Sequence, residues 1–518
     1  MAAEIRGLCV MEAENTGEGG MSCSKRFAEA WTKLGEPAGV PLAMALDTAC
    51  SPASLATIRR LQAAGYQAVV VGGAVRDALR GGEPHDFDVA TSARPDEVRA
   101  VFGGEAVYAV GGEEYGTVLV AALPGEGPVE ATTFRRDLAA DGRRATVAFT
   151  GDMLTDLERR DLTVNALAYD PVGRRLYGPG PGGDPAGSLA DLERGVIRFV
   201  GDGRQRIAED RLRALRAVRF AVKLDGELEQ SAVDAIVWAV GTRLLPGPLS
   251  GERVRDELLK TLALPGGVRG MRTWQGLGLM RVFLPEVAAC AGQAQNVHHG
   301  DVDVLEHCFR AAEAAEAPAD GRLDLAGMRL AMLLHDAGKP STAQFRGEDY
   351  GYSFIGHEAA GAEMAEAICR RLHLDNDTRR AVVLAVREHM AVPEPGASDK
   401  AIRRWARRVG PENVEFLLAV RAADWGAAGR GKAEEARQGV ERVRRVLAEA
   451  AQTAGGDTRL AVNGGDVMAA LGLRPGPEVG RVLRCLAGLV DDDPALNRKE
   501  TLLQAAVAAR RQDEATIP

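Results

Sequence analysis

Aromatic residues make up only 5% of the 518-residue chain, lysine occurs 8 times against 56 arginines, and the seven cysteines include no CxxC pair. Each scarcity excludes something. Cys9, Cys23, Cys50, Cys290, Cys308, Cys369 and Cys485 are too scattered for a disulfide framework or a thiolate zinc site, so they are expected as reduced, mostly buried thiols. Apolar runs such as Ala235 to Val240 fall far short of the roughly 18 residues that a membrane span needs. That excludes an integral membrane protein. The first fifty residues lack a charged-then-apolar leader pattern, and the cytoplasm is the expected compartment. What is present, 46% hydrophobic and 26% charged residues, is the balance of a globular protein. At roughly 150 residues per domain, the length calls for three or four domains.

The net charge of −9 argues on average against a polyanionic partner, but the distribution is uneven. Arg194 to Lys223 holds nine basic residues against three acidic ones, and Lys400 to Arg408 packs five into nine positions. Both stretches could meet phosphates. Residues 1–50 show no sustained periodicity and are expected as a poorly ordered extension. From Ser51 the pattern becomes α/β: a helix from Leu55 to Ala64, then strands over Ala68 to Val71, Phe87 to Ala90, Thr117 to Ala121 and Val129 to Thr133. After about residue 190 strand signals almost vanish, and the chain is helical between Pro/Gly breaks. The predicted fold class is α+β, with a small mixed-sheet head over 51–190 followed by a long all-α body. The body divides into a helical neck at 191–290, a histidine-bearing domain at 291–425 and a helical tail at 426–518.

In the head, Val69 to Leu79 reads as strand, glycine turn and helix, with the turn at Gly72-Gly73. Two glycines let backbone N–H groups approach a polyanion, and the helix start adds partial positive charge, which suits phosphate. It is not a Walker loop: around Gly338-Lys339, Leu333 stands where the first glycine belongs and Pro340 follows the lysine. Downstream, Asp86-Phe87-Asp88 places two carboxylates at i and i+2, on one face of a strand with Phe87 turned to the core. Like charges that close call for a cation, and Mg²⁺, which takes few carboxylates plus substrate phosphates, fits them. Beside a phosphate-cradling turn they predict a two-metal nucleotidyl transfer site. Glu130, on the next strand, is a candidate third carboxylate. Farther along, Asp210, Arg213, Arg216 and Arg219 follow one another at i+3 and are expected on one helix flank.

In this order and spacing, Gly-Gly-Ala-Val-Arg76-Asp, Asp86-Phe-Asp88, Arg-Arg160-Asp161-Leu-Thr-Val-Asn-Ala and Glu-Asp210-Arg-Leu-Arg213 resemble the class II tRNA nucleotidyltransferases and bacterial poly(A) polymerases. The likeness runs from about 60 to 290, with Val462-Asn-Gly-Gly-Asp466 and Pro475-Gly-Pro477 similar to the tail of long bacterial members. It implies that Asp86 and Asp88 bind the catalytic metals, that Gly73 and Arg76 contact the triphosphate, that Arg160 with Asp161 meets the ribose side, and that Asp210 and Arg213 read the base. Cytosine and adenine both present an amino donor beside a ring-nitrogen acceptor, so a carboxylate next to a guanidinium satisfies either. The implied partners are tRNA, CTP and ATP, with no membrane and no obligate protein partner. Gly116-Thr-Val-Leu-Val120 stands where poly(A) polymerases usually carry Gly-Arg-Arg-Phe, which favours the CCA-adding branch. Arg143-Arg144-Ala145 departs from the usual Arg-Arg-Pro, leaving open full or partial triplet addition.

Seven of the eight histidines fall between 298 and 389. His307, His335-Asp336, His357, His389 and Asp424 supply a mixed imidazole and carboxylate set suited to a transition metal. Their order resembles the HD phosphohydrolase superfamily, with His357 and His389 where some members hold a second metal. The readings are therefore a template-independent nucleotidyltransferase completing tRNA 3′ ends, a poly(A) polymerase, or an HD phosphohydrolase whose head only binds RNA.

Overall fold

The computed structural model describes residues 50 to 515, apart from 83, 85, 109–115, 122–126, 141–144, 296–301, 428–429 and 454–458. Residues 1–49 of the expected extension, His85, His298, His299 and the Arg143-Arg144 pair lie outside the described residues. The chain forms two compact units that divide between Phe283 and Leu284. Among the described residues no helix is long and apolar enough to cross a membrane.

The first unit opens on the Pro52–Ala63 helix, whose start is set by the Ser51 side chain accepting the Ser54 N–H at 3.1 Å and by Pro52 in the first turn. Among the described residues the head then contributes the strands β1 Ala68–Val71, β2 Val89–Thr91, β3 Ala106–Tyr108, β4 Thr117–Val120, β5 Val129–Thr133, β6 Arg135–Ala140, β7 Ala145–Phe149, β8 Ala168–Asp170 and β9 Arg175–Tyr177. Seven of them form one sheet among the described residues, in the order β3-β4-β5-β2-β1-β8-β9, and β6 pairs β7 separately. Only the β2/β5 pair of that sheet is parallel. The fully buried run Ala68–Val71 lies inside the sheet. Val69 and Val71 join Ala90, Phe134, Leu157 and Ala168 in one core, and Val70, on the other face, lines a space with Ala74, Phe87 and Tyr169. Each fully buried valine contributes roughly 1.5–3 kcal/mol, so the strand that positions the glycine turn is strongly held.

Two details differ from expectation. The strand expected from Phe87 starts at Val89, so Asp86 and Asp88 sit in the segment leading into it, and Phe87 is half-buried. The Asp88 carbonyl still accepts the Val71 N–H at 3.0 Å, which keeps that segment extended beside β1. Strands β3, β6, β7, β8 and β9 and the parallel pair Val196–Ile197 with Glu227–Leu228 carried no sequence signal. Most are two or three residues long, too short for period-2 alternation to register.

The second unit is helical. Val304–Ala314, Leu325–Leu334, His357–Arg371, Asn376–Glu388 and Val414–Gly426 surround the histidines, and Gly464–Leu471, Pro477–Asp492 and Lys499–Ala515 pack on a separate core of Val467, Val479, Leu486, Val490 and Leu502. Four basic residues of the Asp399–Val409 helix make contacts within this unit. Lys400 pairs with Asp492 at 2.5 Å, Arg407 with Asp491 at 2.7 Å and Arg408 with Glu388 at 3.0 Å, while Arg403 Nε donates to the Asp491 carbonyl at 3.0 Å. Arg403 and Arg407 thereby hold the Pro477–Asp492 helix through Asp491, while the side chains of Lys400 and Arg408 stay about half exposed. Of the described cysteines, Cys290, Cys308 and Cys369 are buried, Cys50 is partly buried and Cys485 is exposed, all as free thiols.

Candidate active site and metal centre

At the end of β1, Gly72 adopts φ 72°, ψ −124° and Gly73 begins the Gly73–Leu79 helix. A side chain at Gly72 would be strained there, and its Cβ would lie 3.4 Å from Arg160 Nη1. Arg160 thus lies over the turn, fixed by Asp156 at 3.0 Å, with its Nε buried and without an acceptor among the described residues. Burial would raise the Asp156 carboxyl, but Arg160 and Arg159 hold it below its ordinary value. Arg76 comes up from beneath. It is 3% exposed and bonded to Asp77 and to Asn165 Oδ1, with Nη2 3.6 Å from the Cβ position of Gly73.

The parallel register Val89↔Ala131 between β2 and β5 sets Asp88 and Glu130, each one residue earlier, side by side. Asp86, Asp88 and Glu130 are all exposed. Asp88 is nonetheless flanked closely enough by protein that desolvation, together with repulsion from Glu130 and Asp86, raises its carboxyl above the ordinary value, with Arg160 opposing. Asp88 is therefore within electrostatic reach of Asp86, of Glu130 and of Arg160, the arginine that lies over the glycine turn. This crowding of negative charge suits a divalent cation.

Asp161 is turned inward. Its Oδ2 accepts Arg216 Nε at 2.7 Å, and its Oδ1 accepts the Leu162 N–H at 2.8 Å. Although burial opposes ionisation, Arg216 keeps this carboxyl below its usual range. The expectation that Asp210 shares a helix flank with the three arginines is corrected. Asp210 lies in the extended break between the Gly203–Glu209 and Leu212–Lys223 helices, at φ −143°, ψ 108°. Its short carboxylate takes the Leu212 N–H at 3.1 Å, a local bond that competes with helical continuation, and Arg253 at 2.8 Å. Arg213, on the second helix, is 8% exposed and held by Glu209 at 2.7 Å and the Arg159 carbonyl at 3.1 Å. Arg219 is tied to Glu257 at 2.6 Å. Sequence reasoning missed Glu257 and Arg253, whose partners Arg219 and Asp210 are remote in sequence, and Asp156, which lies only three and four residues before its partners Arg159 and Arg160.

In the second unit, all six residues singled out from sequence meet. His307 Nε2 is 3.0 Å from Asp424 Oδ1 and 3.3 Å from His335 Nε2. Asp336 Oδ2 is 3.3 Å from His335 Nε2, and its Oδ1 is 3.3 Å from His357 Nε2 and 3.6 Å from His389 Nε2. Asp336 stands between two buried triads, His307-His335-Asp336 and Asp336-His357-His389. The Nδ1–H groups of His335, His357 and His389 donate to the carbonyls of Met332, Phe354 and Val386 at 2.6, 2.8 and 2.7 Å. That orientation points each Nε2 lone pair inward, the arrangement of imidazole ligands around a metal. His357 and His389 face each other at 3.1 Å between Nε2 atoms, an arrangement that favours a cation between them. Despite full burial, Asp336 and Asp424 are held well below the ordinary carboxyl value by His335, Lys339 and His307. Lys339 Nζ, 2.7 Å from Asp336 Oδ2 and 2.8 Å from Gln295 Oε1, was missed. Its only sequence signal is the i,i+3 spacing from Asp336. His373, set aside as a surface residue, is exposed.

A sheet head with crowded carboxylates beside a glycine turn, followed by a helical domain holding a His/Asp cluster, defines a nucleotidyltransferase joined to an HD domain. The family known as the poly A polymerase head domain matches residues 68–198, the HD domain matches 304–428, and the probable RNA and SrmB-binding site of polymerase A matches 248–290. The A-adding tRNA nucleotidyltransferase of Deinococcus radiodurans is 37% identical over 428 residues, covering 81% of this chain and 90% of its own. The CC-adding enzyme of Thermus thermophilus is 34% identical, over 80% of this chain and 88% of its own. The CCA-adding enzyme of Bacillus stearothermophilus in complex with CTP is similar in structure, with a TM-score of 0.63 and 28% identity over 90% of this chain and 99% of its own. The chain belongs to the tRNA nucleotidyltransferase/poly(A) polymerase family, in the class II CCA-adding type that carries an HD domain, and is a tRNA nucleotidyltransferase.

Proposed function

We propose that the protein extends the 3′ end of tRNA with C and A from CTP and ATP, releasing pyrophosphate and reading the base with protein groups in place of a nucleic-acid template. The observation that carries the reading is Asp88 set beside Glu130 by the parallel β2/β5 register, with Arg160 lying over the Gly72-Gly73 turn. Asp86 and Asp88 would hold Mg²⁺, with Glu130 alongside, and the bound ions would neutralise charge on the reacting phosphates. The chain's own groups do the rest. Gly73 N–H meets the triphosphate, and Arg160, expected at the ribose side, joins it there because it lies over the turn; Arg76, expected on the triphosphate, is 3% exposed and braces the turn through Asn165 and Asp77. Asp161 holds Arg216 toward the ribose side, and Arg219 is placed by Glu257. Asp210 offers an acceptor and Arg213 a donor, which cytosine and adenine satisfy and uracil and guanine do not, at a cost of roughly 1–3 kcal/mol for unpaired groups.

The HD domain is proposed as a second, hydrolytic centre. His307, His335, Asp336 and Asp424 would hold one transition metal and His357 and His389, with Asp336, another, which would supply an activated water for phosphoester hydrolysis. The inward Nε2 atoms support it.

Transcripts ending before CCA, after CC and after CCA, incubated with each labelled nucleotide, test the first reading and separate full-triplet, CC-only and A-only addition. Untemplated runs of A on any RNA would identify a poly(A) polymerase instead. Hydrolysis without any nucleotide addition would reduce the head to an RNA-binding module.

A further inference from the structure

Three arginines are buried among the described residues, Arg76, Arg213 and Arg421. Arg76 and Arg213 hold carboxylate oxygens at 2.8 and 2.7 Å, the usual condition of a buried charge, which is costly unless closely paired and hydrogen-bonded. Arg421, on the Val414–Gly426 helix, has no acceptor that close. Its side chain is only 7% exposed, yet its Nη1 stands 3.4 Å from Asp424 Oδ2 and its Nη2 3.8 Å from Glu394 Oε1. Its Nε is buried and has no partner among the described residues. Burial pulls this guanidinium below its ordinary value against the attraction of Asp424 and Glu394. The Trp425 ring, 4.1 Å from the guanidinium carbon, supports the group from one side.

The edge that lacks bonds has a defined chemistry. In a guanidinium, Nε–H and the neighbouring Nη2–H are parallel donors, a fork that takes two oxygens of a phosphate at once. In Arg421 the Nε half of that fork is unpaired, and the Nη2 half reaches only Glu394, whose side chain is 81% exposed. So loose and exposed a pair contributes little, and an incoming oxyanion displaces it at small cost. The third donor, Nη1, is turned to Asp424, whose Oδ1 lies 3.0 Å from His307 Nε2. Arg421 therefore stands one carboxylate away from the imidazoles, and a cation held by them draws on the same carboxylate and leaves the guanidinium still less compensated. We infer that Arg421 is the oxyanion-binding residue of the His/Asp centre, its Nε–Nη2 edge taking two oxygens of a phosphate group held there. This rests on the metal-centre reading above and adds to it the group that places the phosphate.

The full-length protein loaded with Mn²⁺ is titrated calorimetrically with inorganic phosphate and compared with Arg421→Gln and Arg421→Lys. Phosphate binding by the head is common to all three and cancels in the comparison. Arg421→Gln should weaken the affinity about ten- to a hundredfold with the manganese content by elemental analysis unchanged, and Arg421→Lys, which keeps the charge but not the fork, should fall between. Because the guanidinium is buried without matching bonds, Arg421→Gln should melt no lower than the wild type. Equal phosphate affinity in wild type and Arg421→Gln overturns the site. So does a loss of manganese together with phosphate, which would make Arg421 a positioning residue for Asp424, and so does a melting temperature lowered by several degrees with affinity kept, the mark of a structural ion pair. Hydrolysis of para-nitrophenyl phosphate and of bis(para-nitrophenyl) phosphate separates this claim from the reading beneath it. A KM raised about tenfold in Arg421→Gln with kcat within a few-fold supports both. Arg421-dependent phosphate binding without hydrolysis of either ester sinks the phosphohydrolase reading and leaves the site, whereas hydrolysis with KM and phosphate affinity unchanged in Arg421→Gln sinks the site alone. A wild type that takes up neither manganese nor phosphate sinks both.

Discussion

Asp210→Ala removes a carboxylate with two structural bonds and one proposed readout role, and the structure lets the contributions be separated. Loss of the 3.1 Å bond to Leu212 N–H costs about 0.5–2 kcal/mol, the usual value of an N-terminal cap. The 2.8 Å pair with Arg253 joins side chains 28% and 32% exposed and adds at most about 1 kcal/mol. The variant should therefore fold, with a melting temperature lowered by several degrees. Its effect on specificity is different in kind. With the acceptor gone, Arg213 remains as a donor that can meet an acceptor on any base, so UTP and GTP incorporation should rise relative to CTP and ATP even as total activity falls. One lost pairing at roughly 1–3 kcal/mol corresponds to a tenfold to hundredfold relaxation. Asp210→Asn keeps both the cap and an acceptor oxygen and should relax less, while Arg216→Ala should weaken nucleotide or RNA binding with preference unchanged. Single-nucleotide addition with all four nucleotides, on transcripts ending before CCA and after CC, reads this directly. An Asp210→Ala enzyme that is slower but still rejects UTP and GTP as strictly as the wild type would refute the reasoning and leave Asp210 as a cap and ion-pair partner.

Asp86→Ala or Asp88→Ala should lower nucleotide addition by about a thousandfold or more with tRNA affinity in a filter-binding assay largely kept; near-normal incorporation in either sinks the metal assignment. Gly72→Ala, strained at φ 72° and with a Cβ 3.4 Å from Arg160, should cut addition by about tenfold or more in the same assay, and full activity would show that the turn tolerates a side chain. His335→Ala with Asp336→Ala should strip the protein of transition metal by elemental analysis and lower phosphohydrolase activity about a hundredfold or more, with nucleotide addition spared because the head is a separate compact unit. Asp156 and Asp161 are held below the ordinary value of 3.8, so their stabilisation is full above about pH 4 and is lost as pH falls through their folded values. Asp156→Asn should flatten the fall in melting temperature as pH drops below about 4, and an unchanged slope would show that this carboxylate does not report on acid unfolding.

Local information made the reactive core legible. The β-branched run Ala68–Val71, the two glycines after it and the i,i+2 carboxylates are neighbours in sequence, and the structure keeps them neighbours in space. The adjacent pair His335-Asp336 at the end of an apolar helix was an equally local signal, and the remaining histidines were too many for chance in 92 residues, from 298 to 389. Features that depend on partners far along the chain were not legible. Arg403 and Arg407 look like phosphate ligands until Asp491 is placed against them. Arg219 looks free until Glu257 arrives from 38 residues away.

The order of the chemistry-bearing segments, their fold class and the residue types in each centre follow from side-chain chemistry and short periodicities. Three other features arise from packing between distant segments. Strand order brings Glu130 beside Asp88 through the parallel β2/β5 register, a pairing that no local pattern encodes. The break at Asp210 takes the carboxylate off the helix that carries the arginines, because the Leu212 N–H is a closer partner than another helical turn. The antiparallel hairpin at 344–353 sets Phe345 against Tyr352 and leaves Phe345 exposed. In each case the deciding quantity is a distance between residues that chain connectivity leaves undetermined and packing sets.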